Sequence, residues 1–295
     1  MPDNTSYSDL IQNVRTIDIL TRARVTGQQA GVHISLFKGQ GVEFSDIREY
    51  IPGDDIRAID WKITARYQIP YVKEFVEERD HTIYLIADIS GSGTFGHVVS
   101  KFSTLVSVLA TIALSAVHYH DRVGLILVSD KVEKFIPARS GRNHVIHLIQ
   151  SIITHTSQAG GSDLRPALSM IVQRVRRMST VILLSDFFTP DCSKELSMVK
   201  RHHDLLAIRI SDPREEELPD VGLIELEDAE SGEQILVDTS NPLVREEYQK
   251  ATAQHTEKIS LMMRKHRIPF VNIRSGDDYV PILKHLMMAR PGGEL

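Results

Sequence analysis

Cysteine is almost absent from this chain of 295 residues, since Cys192 is the only one. A disulfide within the chain is therefore excluded, and nothing points to an oxidising compartment. No activating partner for the thiol is evident in the sequence, so we expect Cys192 to be unreactive.

Long apolar runs are also missing. The longest strongly apolar stretch, around residues 109–117, is far too short to span a bilayer. The polar first residues lack the charged-then-apolar order of a secretory signal. We therefore expect a cytoplasmic protein without membrane insertion.

The chain also lacks an excess of positive charge. The net charge is −5, which argues against a nucleic-acid-binding protein because phosphate binding requires a basic surface. The histidines are scattered, which disfavours a zinc site. The single tryptophan, Trp61, is expected in a core.

What the sequence does contain is an alternation of short apolar runs with helical patterns. Such alternation predicts an α/β fold with a doubly wound, mostly parallel sheet. The short gap at 129–131 predicts a hairpin with an antiparallel edge strand. The predicted strands are 83–87, 123–128, 132–136, 180–185, 205–210 and 268–273, and the predicted helices are 98–119, 143–155, 164–177, 192–203, 242–265 and 278–288.

Two regions depart from this alternation. Residues 1–80 predict an N-terminal extension, with a helix near 8–23, that packs on a main domain at 81–295. Residues 213–240 are rich in acidic side chains around Ser231-Gly232 and predict an inserted hairpin. A solvated edge hairpin, in which charges prevent aggregation, is the interpretation we favour.

Three loops that follow predicted elements carry hydroxyls and carboxylates. In open α/β sheets the ligand site lies beyond the carboxyl ends of the strands, so these loops are expected to converge. Oxygen ligands without His or Cys suit a hard cation such as Mg²⁺. A helix-capping loop is the alternative for the first of them. The candidate metal ligands are Asp88, Ser90, Ser92, Ser162 and Asp186.

The run Asp88-Ile89-Ser90-Gly91-Ser92 resembles the metal-ion-dependent adhesion site of the von Willebrand A superfamily. The resemblance implies a von Willebrand A-like, Rossmann-type fold with one bound divalent cation. It also implies that Ser90 and Ser92 ligate directly, and that Asp88 and Asp186 act directly or through water. Ser162 takes the place of the threonine and keeps its hydroxyl.

A second resemblance covers nearly the whole chain. The stretches GVEFSDIREYIPGDDIRAIDWKITAR, YVKEF and DRVGLILVSD are similar to domain-of-unknown-function family fifty-eight, a bacterial family. That resemblance implies an accessory to a MoxR-type AAA ATPase in protein remodelling or complex assembly. Some members carry transmembrane helices, a feature that does not transfer to this chain.

A dense block of mixed charge precedes the first predicted strand. We favour a salt-bridged scaffold here, and a partner-binding surface remains the alternative. The block contains Arg48, Glu49, Asp54, Asp55, Arg57, Asp60, Trp61 and Arg66, and the partner-binding interpretation would rest on Arg48, Asp54, Asp55, Arg57 and Arg66.

Enzyme motifs are incomplete in every case. Ser90 replaces the second aspartate of an aspartyl phosphatase, and Ser90 also breaks the frame of a serine-hydrolase elbow around Ser92. The stretch GTFGHVVSK lacks the Gly-Lys pair of a phosphate-binding loop. We expect a non-enzymatic, metal-dependent protein-binding adaptor. The alternative is a Mg²⁺-dependent phosphohydrolase that uses Asp88.

Overall fold

The structure is a computed structural model that describes residues 43–51, 59–76, 81–90, 101–118, 120–155, 161–227 and 234–288. The chain divides into two compact units, and the boundary that falls among the described residues lies between His81 and Thr82. The predicted helix near 8–23 lies outside the described residues. Packing of the N-terminal segment on the main domain remains a prediction.

The smaller unit contains an antiparallel pair of strands, β1 (Glu43–Glu49) and β2 (Tyr71–Val76), and a short helix, α1 (Trp61–Tyr67). Asp60 caps α1, because its carboxylate accepts hydrogen bonds from the backbone N–H groups of Lys62 and Ile63. Trp61 is 66% exposed, so the prediction that it lies in a core is wrong. It is the first residue of a seven-residue helix that buries none of its side chains.

The larger unit is built on a six-stranded sheet. Its strands are β3 (Thr82–Asp88), β4 (Arg122–Val128), β5 (Val132–Arg139), β6 (Thr180–Ser185), β7 (Asp204–Ser211) and β10 (Phe270–Arg274). They lie in the order β10-β7-β6-β3-β4-β5. All neighbouring strands are parallel except β5, which pairs antiparallel with β4 at the edge. This confirms the predicted doubly wound, mostly parallel α/β fold.

The central strands are buried along almost their whole length, which explains their continuous apolar sequences. One row of side chains crosses four strands, because Ile86 of β3 pairs with both Ile126 and Leu183, and Leu183 pairs with Ala207. All four belong to a single buried core cluster. This layer of apolar side chains fixes the register of the central strands.

Seven helices of the larger unit lie among the described residues and flank the sheet. They are α2 (Lys101–His118), α3 (Arg142–Ile153), α4 (Arg165–Arg174), α5 (Ser193–His202), α6 (Pro213–Glu216), α7 (Pro242–Lys265) and α8 (Tyr279–Met288). No helix within these described ranges has both the length and the apolar character that crossing a membrane would require.

The acidic region forms a hairpin as predicted, from β8 (Leu223–Glu227) and β9 (Gln234–Asp238). It is a separate two-stranded sheet, however, and does not extend the edge of the main sheet. Leu223 and Leu236 on it are largely exposed. The inserted segment also begins with the short helix α6, which the sequence did not predict.

The strand order reverses direction between β3 and β6. From β3 the chain continues to β4 on one side, and it later returns to β6 on the other side. Such a reversal opens a crevice at the carboxyl ends of the two strands, where ligands of doubly wound proteins bind. The residues that follow β3 and β6 are therefore the first place to look for a site.

Candidate functional site

The site is centred on Asp88, the last residue of β3. The parallel pairing of Ala87 with Leu184 places the end of β3 beside the end of β6. Asp88 Oδ2 accepts hydrogen bonds from the hydroxyls of Ser162, at 2.9 Å, and Ser185, at 2.7 Å. All three side chains are buried. Residues 74 and 97 positions apart from Asp88 thus meet at one carboxylate.

The other oxygen of Asp88 stabilises the loop that follows it. The backbone N–H of Ser90 donates to Asp88 Oδ1 at 3.1 Å. The carboxylate thus forms a local turn with the backbone two residues on, and it uses a different oxygen from the one that binds Ser162 and Ser185. The helix-capping alternative stays a prediction, because residues 91–100 lie outside the described part of the chain.

The surroundings of Asp88 disfavour the charged form of its carboxyl group. Burial raises the pKa of this carboxyl, and the nearby charge of Asp186 raises it further. The hydrogen bonds from Ser185, Ser90 and Ser162 oppose this rise without cancelling it. A buried anion in this condition is stabilised by a nearby cation.

Asp186 follows β6 directly and is also buried. Its Oδ1 accepts a hydrogen bond from the backbone N–H of Phe188, at 3.1 Å. Its Oδ2 accepts one from the ammonium group of Lys101, at 2.8 Å. The two carboxylates of the predicted site therefore differ, because Asp88 is bound by hydroxyls and Asp186 by a positive charge.

Lys101 is the main feature of the site that sequence reasoning missed. It is the first described residue of α2, it is only 4% exposed, and it also binds Glu215 Oε1 at 2.6 Å. Burial by itself lowers the pKa of Lys101, but the charges of Asp186 and Glu215 outweigh it and the pKa is raised. Lys101 lies four residues before the buried Leu105 and therefore on the same face of the helix. This spacing was the signal in the sequence that could have indicated a buried lysine.

Glu215 was also missed, because the acidic region was interpreted as solvated. It lies on α6, where its second oxygen accepts the backbone N–H of Asp212 at 3.2 Å and completes a capping box. The neighbouring Glu216 points elsewhere and pairs with Arg274 at 2.8 Å. One acid of the insertion thus reaches the site while its neighbour does not.

A small cavity of about 20 Å³ opens beside these groups. This volume has room for one or two particles the size of a water molecule. Three apolar side chains and four polar ones surround it: Phe102, Leu105, Ile210, Asp88, Ser90, Lys101 and Asp186.

The predicted metal ligands are placed as follows. Asp88 and Ser162 are hydrogen-bonded to each other, and Asp88, Ser90 and Asp186 line the same cavity. Ser92 lies outside the described residues. No cluster of three or more His, Cys, Asp or Glu side chains suited to a metal ion occurs in the described part of the chain.

The residues present fit a hard divalent cation by their chemistry and by their charge. Hydroxyl and carboxylate oxygens are the ligands that Mg²⁺ prefers. Asp88, Asp186 and Glu215 contribute three negative charges against the one positive charge of Lys101. Arg209, which is buried and donates to Thr256, adds one more positive charge nearby. A negative excess remains that a cation would neutralise.

Among the described residues of the smaller unit, the charged block gives no comparable cluster. Asp54, Asp55 and Arg57 lie outside the described residues, and the side chain of Arg48 is not described. Arg66 is exposed, and its guanidinium carbon lies 5.9 Å from the ring centroid of Tyr67. The choice between scaffold and partner surface stays open.

Comparison with solved structures finds distant likenesses. An aerotolerance-related membrane protein from Bacteroides fragilis matches with a TM-score of 0.48 at 12% identity, over 70% of this chain and 96% of that one. BatB from Bacteroides thetaiotaomicron matches with a TM-score of 0.46 at 14% identity, over 70% and 97%. Proximal thread matrix protein 1 from the mussel byssus, with a zinc-occupied MIDAS motif, gives 0.38 at 14%, over 45% and 38%. Likeness at this level carries no information on individual site residues.

Comparison of sequences is more specific. The chain is 30% identical over 287 residues to uncharacterized protein Rv1480 of Mycobacterium tuberculosis, covering 96% of this chain and 90% of that protein. It is 31% identical over 116 residues to uncharacterized protein YeaD of Bacillus subtilis, covering 39% and 27%. The model of the family described as "Protein of unknown function DUF58" matches residues 46–258. The chain therefore belongs to the DUF58 family.

Proposed function

We propose that this chain is a non-enzymatic adaptor that binds a partner protein through a divalent cation, Mg²⁺ in the cell. The observation that supports this most is the oxygen-only cluster around Asp88, at the switch point of the sheet. Ser162 and Ser185 both donate to one buried carboxylate there. The cluster lies beside a cavity large enough for an ion.

The residues that would hold the cation are Asp88, Ser90, Ser162 and Asp186, together with Ser92 from the sequence. Because the hydroxyl of Ser162 donates its hydrogen to Asp88, its oxygen lone pairs remain available for ligation. A bound Mg²⁺ supplies an open coordination position for a carboxylate oxygen of the partner. The chain itself positions the ligands and excludes water from their apolar side.

The partner that we propose is a MoxR-type AAA ATPase in the cytoplasm, as the family resemblance implies. If the cation joins the two proteins, cation and partner must strengthen each other's binding by the same factor. Metal binding to the free chain is then weak, because a partner carboxylate is still missing from the coordination sphere.

The test is a calorimetric titration of the chain with the ATPase, in Mg²⁺ and in EDTA. We expect binding in Mg²⁺ that EDTA removes and that Asp88→Asn abolishes. Asp163→Asn is the matched control, because Asp163 follows Ser162 in the same loop but its carboxylate binds Arg165 at the surface. Equal affinity in Mg²⁺ and EDTA would contradict the proposal.

The phosphohydrolase alternative has a separate readout. Asp88 would then be the nucleophile, so pure protein would hydrolyse p-nitrophenyl phosphate in a Mg²⁺-dependent manner. We expect no turnover, because Ser90 stands in place of the second aspartate that serves an aspartyl phosphatase as general acid. Turnover that Asp88→Asn abolishes, and that Asp163→Asn leaves unchanged, would replace the adaptor proposal.

A further inference from the structure

Lys101 occupies an unusual position for a lysine. Its ammonium group is buried at the end of the sheet where the cation ligands gather, and it lines the same cavity as Asp88 and Ser90. Lysine is rarely buried unless it is paired. Here two carboxylates pair with it, Asp186 at 2.8 Å and Glu215 at 2.6 Å. The chain thus contributes a positive charge of its own to the proposed cation site.

The two carboxylates come from different parts of the fold. Asp186 follows β6 and is one of the proposed metal ligands, whereas Glu215 belongs to α6 in the inserted region. The capping box of α6 holds Glu215 in place independently of Lys101, because Asp212 N–H donates to its other oxygen. Glu215 is therefore a fixed second partner for the lysine.

We propose that Lys101 competes with the divalent cation for Asp186 and thereby keeps the metal affinity of the free protein low. The inference rests on the proposed function, because it concerns the same site. Lys101 Nζ binds Asp186 Oδ2 directly, and two cations within a few ångströms of each other repel strongly in a buried site. When Asp186 ligates the divalent cation, Lys101 releases Asp186 and keeps Glu215. Metal loading is thus coupled to α6 and to the insertion that carries it.

The first experiment removes the competitor. Mn²⁺ serves as the probe, because electron paramagnetic resonance measures its free concentration directly, and Mg²⁺ is then measured by competition. We expect Lys101→Met to bind Mn²⁺ about tenfold more tightly than wild type, or more. Lys101→Arg keeps the charge and should stay close to wild type. Unchanged or weaker binding by Lys101→Met would overturn the inference.

A matched control tests whether any lost positive charge has this effect. Lys200 on α5 is also partly buried, and it lies near Asp204, the first residue of β7 and thus at the opposite end of the sheet. Lys200→Met makes the same change in net charge and should leave Mn²⁺ affinity within about twofold of wild type, given screening over that distance. A tenfold gain there would overturn the inference as well.

The second experiment changes the other partner and decides the question even if Lys101→Met does not fold. Of the two described carboxylates that bind Lys101, Glu215→Gln leaves only Asp186. The lysine should then hold Asp186 more tightly, and Mn²⁺ binding should weaken. Glutamine still completes the capping box. Glu216→Gln is the control, because it removes one negative charge from the same helix but its partner is Arg274. Equal effects of the two variants would overturn the inference.

These outcomes separate the inference from the proposed function. If Asp88→Asn abolishes Mn²⁺ binding while Lys101→Met leaves it unchanged, the cation site stands and the competition is wrong. If wild type binds no metal even in the presence of the ATPase, and Lys101→Met does, the competition stands and the native chain is not a metal-dependent adaptor. If neither protein binds metal with or without the ATPase, both proposals are wrong.

Discussion

At the scale of a single residue, Asp88 shows that a carboxylate can accept hydrogen bonds at both of its oxygens and still be destabilised in its charged form. Three donors surround its carboxylate. Its pKa is nevertheless raised, first by burial and then by the charge of Asp186. The negative charge that suits Asp88 to a cation thus destabilises the metal-free fold.

This conflict predicts the behaviour of two variants at neutral pH. Asp88→Asn removes the buried charge, and its amide can still bond to Ser90 N–H and to the two hydroxyls, so we expect unchanged or higher unfolding free energy. Asp88→Ala leaves three donors without this acceptor and should cost about 1–3 kcal/mol for each donor that finds no new partner. Urea unfolding in EDTA measures both.

The advantage of Asp88→Asn should depend on pH. The pKa of Asp88 is higher in the folded chain than its ordinary value of 3.8 in the unfolded chain. The folded protein therefore loses stability as the pH rises from 3.8 through the pKa of the folded chain. The gap in unfolding free energy between Asp88→Asn and wild type should therefore widen as the pH rises above 3.8 and should close as the pH falls towards 3.8. A gap that widens at low pH would contradict this assignment.

At the scale of the element, β4 depends on a residue without a side chain. A Cβ atom added at Gly124 would lie 2.5 Å from Tyr84 Cε1 and 3.0 Å from the backbone nitrogen of Ala138. The Tyr84 ring cannot move away freely, because it stacks on Phe135 with the ring planes 11° apart. The glycine therefore permits the aromatic packing between β3 and the edge strand β5.

Gly124→Ala should consequently destabilise the protein by about 1–3 kcal/mol through overpacking. Gly161→Ala is the matched control, because the nearest atom to its added Cβ would be Asp130 Cβ at 3.9 Å, an ordinary contact. We expect a lower urea midpoint for Gly124→Ala and a small change for Gly161→Ala. Equal urea midpoints for the two variants would show that the Tyr84 ring can move aside without loss of unfolding free energy.

At the scale of the whole molecule, acid stability should depend on a buried histidine. His203 is 3% exposed, and neither of its ring nitrogens has a hydrogen-bond partner within the described ranges. Burial lowers its pKa, the adjacent His202 lowers it further, and Asp204 opposes both effects. The folded chain therefore disfavours the protonated ring.

The sign of the resulting pH dependence follows from linkage. The unfolded chain binds the proton at a higher pH than the folded chain, so the stability that His203 contributes is complete above about 6.5 and is lost as the pH falls through the folded pKa. The slope for one proton is at most about 1.4 kcal/mol per pH unit. Asp88 changes stability in the opposite sense, because its raised pKa lowers stability as the pH rises above 3.8.

His203→Leu should isolate this contribution. Because leucine does not titrate, we expect the fall in unfolding free energy between pH 7 and 5 to become shallower than in wild type. His202→Leu is the control, since His202 is exposed and is the last residue of α5, directly before His203. Parallel pH profiles for wild type and His203→Leu would show that His203 is not the titrating group.

The sequence by itself determined the α/β class and the succession of strands and helices along the chain, but not the order of the strands in the sheet. The apolar runs of β3, β4 and β6 are continuous because each strand is buried on both faces, and that pattern is local. The positions of Asp88, Ser162 and Asp186 could be predicted for the same reason, since each follows a readable element. The apolar runs of the sheet thus identified the region of the site.

Only the tertiary structure decided which charges meet there. Lys101 is 85 residues from Asp186 and 114 residues from Glu215, and no local pattern encodes contacts over such separations. The sequence predicted that the acidic insertion is solvated throughout. In the structure Glu215 on its short helix binds the buried Lys101, whereas the neighbouring Glu216 pairs with Arg274. Trp61 was likewise expected in a core, because tryptophan is usually buried, but in the fold its side chain is 66% exposed. Periodicity reports burial along one element, whereas ion pairing depends on how separate elements pack, and that is fixed only when the sheet assembles.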